Sequence, residues 1–250
     1  MEALLKSLGL DQYQRAAHLN PAILAVLPAF VSLMLWLPKE STLLAGLLSA
    51  AASVALAVLL MQFGRSQGRR VQTRLTQKQG GLASTQALRH GNDLIAGPTR
   101  DRYHAFLVSQ GLAIPTVDEQ TSAPEAADEL YRSAADWLRS QTRDQKKFTL
   151  LHGENRSYGF RRNLLGLKPL GLGITFLSLA GNAAAIWQWG PQDPTIQLAG
   201  YILVGLLFIN LIVWLFVVTE AFVEDASRAY SERLLEACDT LAKRKSGKAS

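Results

Sequence analysis

The residues of this sequence that could carry chemistry are few: four histidines, one cysteine, two asparagines in apolar surroundings, an acidic group and a set of arginines. His18, His90, His104 and His152 are scattered, and none has a second ligand at metal spacing, so each reads as an ordinary polar residue. Cys238 is the only cysteine, which excludes a disulfide, a zinc cluster or a redox pair within one chain. No GxSxG, Walker A, DxD or HExxH motif occurs. An enzyme is therefore not expected, and neither is a metal or a cofactor. Asn182 and Asn210 lie in long uncharged stretches. An amide there either hydrogen-bonds between helices or faces a water-filled path, where it can replace part of an ion's hydration shell. Ser32, Ser49, Ser53, Thr175 and Ser178 can return their hydroxyls to the helix backbone and need no such role. Glu220, Glu224 and Asp225 follow the last uncharged stretch. In a symmetric oligomer they would ring a pore mouth with carboxylates; the alternative is a solvated helix face beside Arg228. The candidate pore-lining residues are Asn182, Asn210, Glu220 and Glu224.

The second chemical theme is basic. Arg65, Arg69, Arg70 and Arg74 follow one apolar stretch, and Arg161, Arg162 and Lys168 precede another. Arg65, Arg69, Arg70, Arg161 and Arg162 are candidates for holding phosphate. Anionic lipid headgroups would account for the first group. A nucleotide or short oligonucleotide is the other possibility, with Tyr103, Phe106, Tyr131 or Trp137 stacking bases. Those aromatics also lie at helical spacing, which equally suits core packing.

The elements that must position these residues follow from the charge distribution. The 250 residues carry 26 Lys+Arg against 20 Asp+Glu, net +6, with 48 % hydrophobic and 18 % charged residues. Four windows carry no charged side chain: 21–38, 41–64, 169–191 and 194–219. Each is about the ~20 residues needed to cross a hydrocarbon core, which excludes an ordinary soluble enzyme. The first, Pro21 to Leu37, is read as an uncleaved helix rather than a signal peptide, because a polar stretch precedes it and it ends in Trp36-Leu37-Pro38. It pairs with Leu43 to Phe63 in a tight hairpin. Pro169 to Trp189 and Ile196 to Thr219 form a second hairpin, with Trp36, Trp187 and Trp189 near the tips, where aromatic rings favour the interface. Small residues (Gly46, Ala50, Ser53 and Ala57; Ala180-Gly181 and Ala183 to Ala185; Gly171-Leu172-Gly173) would let helices approach closely. Only Lys39 among the basic residues falls in a tip, so both termini and the middle segment are placed in the cytoplasm of a multi-pass protein of the bacterial inner membrane. The expected organisation is a cytoplasmic segment (1–20), a transmembrane hairpin (21–63), a cytoplasmic helical domain (64–168), a second hairpin (169–219), and a C-terminal helix with a basic tail (220–250).

The middle segment holds 17 Lys+Arg and 10 Asp+Glu. Arg65 to Gln79 should continue the second span and stop at Gly80-Gly81. Ser84 to Ile95 and Thr99 to Gln110 read as helices, with Gly111 as a C-cap. Leu112 to Ala123 reads as a loop. Ser122 is expected to cap a helix with Pro124 in its first turn and Ala127, Leu130, Tyr131, Ala134, Trp137, Leu138 and Gln141 on one face. The fourth span shows no stop signal, so a continuous helix from Ile196 to Ala242, roughly 70 Å long, is expected. Its stripe of Phe222, Ala226, Ala229, Tyr230, Leu234, Ala237 and Leu241 must pack on the middle segment or on a second copy. The fold class is thus an all-α membrane protein: two transmembrane hairpins, a helical cytoplasmic domain between them, and a long C-terminal helix.

The run Glu154-Asn155 followed by Tyr158-Gly159-Phe160-Arg161-Arg162-Asn163-Leu164-Leu165-Gly166-Leu167-Lys168 leads into the third span. With this order of elements, the chain resembles bacterial four-span membrane effectors of antiphage defence, of the Hailong-effector kind. The resemblance implies an oligomeric ion-conducting effector controlled by a nucleotide-derived signal, with a nucleotidyltransferase as partner. Read from its residues alone, the same run is a juxtamembrane elbow, in which Gly159 and Gly166 permit turns. The leading expectation is a homo-oligomeric channel that depolarises the membrane when triggered. The alternatives are a non-conducting membrane-anchored scaffold or regulator that binds a cytoplasmic partner, and a small transporter, disfavoured by the absence of intramembrane charge.

Overall fold

A computed structural model describes residues 11–36, 43–189 and 193–246. The described residues form helices joined by turns and short loops, with no strand among them. We number the helices α1 (Gln12–Trp36, with a π-helical turn at Arg15–Leu19), α2 (Leu43–Gln79), α3 (Ala83–Gln86), α4 (Gly97–Ser109), α5 (Val117–Ser122), α6 (Pro124–Gln141), α7 (Thr149–Trp189), α8 (Pro194–Ile212, followed by a π-helical turn at Val213–Val217) and α9 (Glu220–Ser246). Among the described residues, three helices are long and apolar enough to cross a membrane: Gln12–Trp36, Thr149–Gln188 and Pro194–Val217. The second expected span lies in α2, but the side chains of 43–54 and 57, including the small face Gly46, Ala50, Ser53 and Ala57, fall outside the described residues, as do both expected hairpin tips at 37–42 and 190–192. The chain divides into two compact units, one of 1–72 with 159–223 and one of 73–158 with 224–250.

The first unit is built on close helix crossings. Within α2, Gly64 and Gly68 sit one turn apart and face α7. A Cβ on Gly68 would come within 3.2 Å of the Asn163 Cα, and one on Gly166 within 2.7 Å of the Gly68 backbone nitrogen. Gly159 meets Ala17 and Tyr13 of α1 in the same way, at 2.8 Å. Both glycines were expected to permit turns. Instead they lie inside the 41-residue helix α7 and let backbones approach, which is how helices associate where apolar burial offers no gain. Gly171 accommodates the Trp214 indole, whereas Gly173 and Gly181 face open space. The outward faces of the spans are apolar: Leu177 and Phe216 are about three-quarters exposed, and Trp187 is 88 % exposed.

The fourth span is not continuous with the C-terminal helix. After Ile212 the backbone widens into the π-helical turn, and Val218 leaves helical geometry with ψ at 84°. The chain resumes as α9 at Glu220. No Gly or Pro lies between Val213 and Thr219, so this break is imposed by tertiary contacts that a local reading cannot see.

The second unit packs α4, α6, α9 and the start of α7 around Tyr131, Leu138, Leu107, Leu88, Leu234 and Leu235, all fully buried. The α9 stripe is thus covered within the same subunit: Leu234, Ala237 and Cys238 are in this core, and Tyr230 and Leu241 pack against it. Of the face expected on α6, Ala127, Tyr131, Ala134 and Leu138 point inward and Trp137 is partly buried, whereas Leu130 and Gln141 are exposed. Helix α2 stops at Gln79, and Gly80 takes φ +69°. Gly111 (φ +83°) follows the end of α4. Three local expectations fail. The helix over 84–95 shrinks to α3, because side chains capture the backbone donors: His90 N–H donates to Gln120 Oε1 and Leu94 N–H to Asn92 Oδ1, while Gly91 turns at φ +77°. The 112–123 loop contains α5, started by a reciprocal Thr116–Glu119 capping box. Ser122 ends α5 rather than capping α6, which begins at Pro124 after Ala123.

Candidate functional site

Asn182, on α7, is 1 % exposed. Its Oδ1 accepts from Trp36 Nε1 at 2.6 Å, and its Nδ2 donates to the Gly200 carbonyl at 2.9 Å. Both ends of the amide are thus used inside the subunit, tying α1, α7 and α8 together. This is the inter-helix role rather than the pore-lining one. Beside it, Trp36, Leu33, Ile174 and Leu177 wall an apolar groove of about 430 Å³.

Asn210, on α8, is half-exposed. The Thr175 hydroxyl lies 2.9 Å from its Oδ1 and 2.7 Å from the Gly171 carbonyl. One hydroxyl proton serves one acceptor at a time. Flipping the Asn210 amide, which places a donor toward Thr175, would satisfy all three groups.

Glu220 opens α9, directly after the break. Glu224 belongs to the second unit and borders a polar cleft of about 500 Å³ with Asp93, Ser227 and Arg228. The acidic group is therefore divided between a helix start and a cleft wall in this subunit.

The arginines separate into two kinds. Arg65 and Arg70 are exposed on α2, where a headgroup or phosphate can reach them; Arg69, exposed beside them, has an interaction of its own. Arg161 and Arg162 are half-buried and engaged: Arg161 Nη1 donates to the Phe222 carbonyl at 3.0 Å with its guanidinium 4.4 Å from the Phe222 ring centre, and Arg162 Nη1 donates to Gln72 Oε1 at 2.5 Å. Next to Arg162, the buried Asn163 Nδ2 lies 2.6 Å from the Ala17 carbonyl and 2.9 Å from His18 Nδ1. Tyr103 and Tyr131 are buried in the core, and Phe106 and Trp137 pack on each other, ring centres 6.3 Å apart. Tyr103 and Tyr131 therefore offer no free face for a base, while Phe106 and Trp137 remain partly exposed.

The histidines hold backbone carbonyls: His90 bonds Pro115, His104 bonds Leu88 and His152 bonds Thr142, all at 2.8–2.9 Å. Burial, first of all, holds the His104 pKa below its ordinary 6.5. The Cys238 thiol is pushed up to about 12 by burial. No group of three or more His, Cys, Asp or Glu side chains among the described residues is placed to hold a metal.

The feature that sequence reasoning missed is the break itself. Its exposed carbonyls are taken by cations from α7. Lys168 Nζ donates to the Leu215 and Val218 carbonyls at 3.1 and 2.8 Å, and Arg161, seven residues and two turns earlier on the same helix, holds that of Phe222. Thr219 Oγ1 accepts from Phe222 N–H at 3.3 Å, satisfying a donor in the first turn of α9. The only sequence signal was a basic residue directly before Pro169, which reads equally well as a headgroup contact. Comparison with family models, with curated proteins and with solved structures finds no match to this chain.

Proposed function

We infer that the protein is a homo-oligomeric channel effector of the bacterial inner membrane, crossing it four times with both termini in the cytoplasm and depolarising it when triggered. The observation that carries this reading is the break at the end of the fourth span, where the membrane-length helix stops at Val217 and the chain resumes as α9 at Glu220. Freed carbonyls at helix ends of this kind recur at ion pathways. Two further features support it: spans free of ionisable side chains across their apolar length, and small, unpacked surface at Gly173 and Gly181 where a second copy can approach. Four spans are few for a conducting path within one subunit, so the path would form between copies. The pore-facing candidates that keep an accessible position are Asn210 and Glu220; Glu224 would act at the cytoplasmic mouth. The trigger would be a nucleotide-derived signal supplied by a partner nucleotidyltransferase, with the exposed Arg65 and Arg70 available to phosphate.

A second reading, a non-conducting anchored scaffold, is favoured by one observation: the amide of Asn182 and the stripe of α9 are both used within the subunit, so neither requires a second copy. The mass of the detergent-extracted complex separates the two. A multiple of the chain mass fits the channel, and a monomer in every mild detergent would remove it.

A further inference from the structure

We propose that the carbonyl oxygens of Leu215 and Val218 form a monovalent-cation site at the cytoplasmic end of the fourth span, and that Lys168 plugs it with its own ammonium. The final carbonyls of a helix have no intrahelical donor, and they carry the negative end of the helix dipole. Here the break falls where the span ends, so these oxygens have no helix to continue into. Two of them converge on one Nζ, at 3.1 and 2.8 Å. An ammonium ion and a potassium ion are similar in size and charge, and both are bound by backbone carbonyls that replace water. Unwound carbonyls and half-helix C-termini coordinate monovalent cations in transporters, and rings of carbonyls do so in channels. The lysine is therefore a tethered occupant that reports the preference of the site. Arg161 holds the Phe222 carbonyl one turn beyond the break in the same manner, so α7 offers two cations to a backbone with no breaker residue of its own.

The consequence is a two-state element. With Lys168 seated, the break persists and the site is closed to ions. With Lys168 withdrawn, the carbonyls either take a cation from solution, with water completing its shell, or recover helical donors as the segment 213–222 straightens. The link to conduction rests on the channel reading above; the binding claim does not.

The test uses the full chain in detergent, with potassium chloride, sodium chloride and choline chloride at equal concentration. Lys168→Met should melt about 2–4 °C higher in potassium or sodium than in choline, while the wild type and Lys168→Arg should melt alike in all three. Equal melting of Lys168→Met in the three salts would overturn the proposal. So would its failure to fold in all of them, because an ion at high concentration should replace the plug. Lys168→Gln is the second variant: it keeps a neutral donor at similar reach and should show a smaller cation dependence of the same sign. Melting is read without any conduction. A cation-dependent melt with no ion flux would preserve the site and reject the channel. Flux with a cation-independent melt would preserve the channel and reject the site.

Discussion

Gly166→Ala should destabilise the protein, although alanine is the better helix former. A Cβ at 166 would sit 2.7 Å from the Gly68 backbone nitrogen, 2.8 Å from the Gln67 carbonyl carbon and 3.0 Å from the Gln67 Cβ. The first two are backbone atoms that cannot rotate away, so α2 and α7 must separate by close to an ångström to restore van der Waals contact. Overpacking of this kind costs about 1–3 kcal/mol. Helix propensity returns up to about 1 kcal/mol, leaving a net loss of up to about 2 kcal/mol and a deficit of about 1–3 kcal/mol against an alanine at an uncrowded position of the same helix. Further loss would follow if the separation also pulls Asn163 from the Ala17 carbonyl. Gly173→Ala and Gly181→Ala are the controls. Both lie in the same helix with nothing within 4 Å, so they should be neutral or stabilising by up to about 1 kcal/mol in a monomer. Denaturation of the three variants in mixed micelles, followed by circular dichroism, measures the differences. A Gly166→Ala variant as stable as Gly173→Ala would refute the crossing.

Other consequences can be checked separately. Leu234→Asp places a carboxylate in the core of the second unit at a cost of several kcal/mol, and the loss of structure should be the same at all protein concentrations, because the stripe packs within one subunit. His104 is held below 6.5 by burial, so the unfolded chain takes up its proton first; the stability this neutral histidine contributes is complete above pH 6.5 and declines as pH falls toward the lowered value, and replacing His104 with Gln should flatten that part of a denaturation–pH profile. Cys238, buried with its thiol at about 12, should resist maleimide at neutral pH until the protein is denatured; rapid labelling of the native protein would contradict its place in the core. Reporters fused after Ser250 or inserted at Asp118 should read as cytoplasmic and one at Asp193 as periplasmic, and export of the Asp118 reporter would reject the two-hairpin topology.

What could be read from residues alone depended on where the determining interaction lay. Three of the four expected spans were legible as long apolar helices because the absence of charge over some twenty residues is a local property. The α6 stripe was legible because Ala127, Tyr131, Ala134 and Leu138 recur with the helical period. The break at Val218 was not, since no Gly or Pro marks it and the lysine that donates to its freed carbonyls lies some fifty residues earlier. Gly159 and Gly166 were read as turn residues because glycine permits both a turn and a close approach; only the opposing residues, Ala17 and Tyr13 on α1 for Gly159 and Gln67 and Gly68 on α2 for Gly166, decide between them. Ser122 offered a capping hydroxyl, but the Thr116–Glu119 box upstream starts a helix that consumes it. The candidate site divided in the same way. Asn182 and Asn210 were recognisable as amides needing partners, yet the partners, Trp36 and Gly200 in one case and Thr175 in the other, belong to other helices.

The central claim is conduction by an assembly of this chain, and planar-bilayer recording of the purified protein tests it most directly. The account predicts discrete unitary currents with a preference for cations that Glu220→Lys diminishes or reverses, since it inverts a ring of charge beside the broken span. Silent bilayers across voltages, salts and candidate nucleotide ligands, from a preparation of intact oligomers, would contradict it.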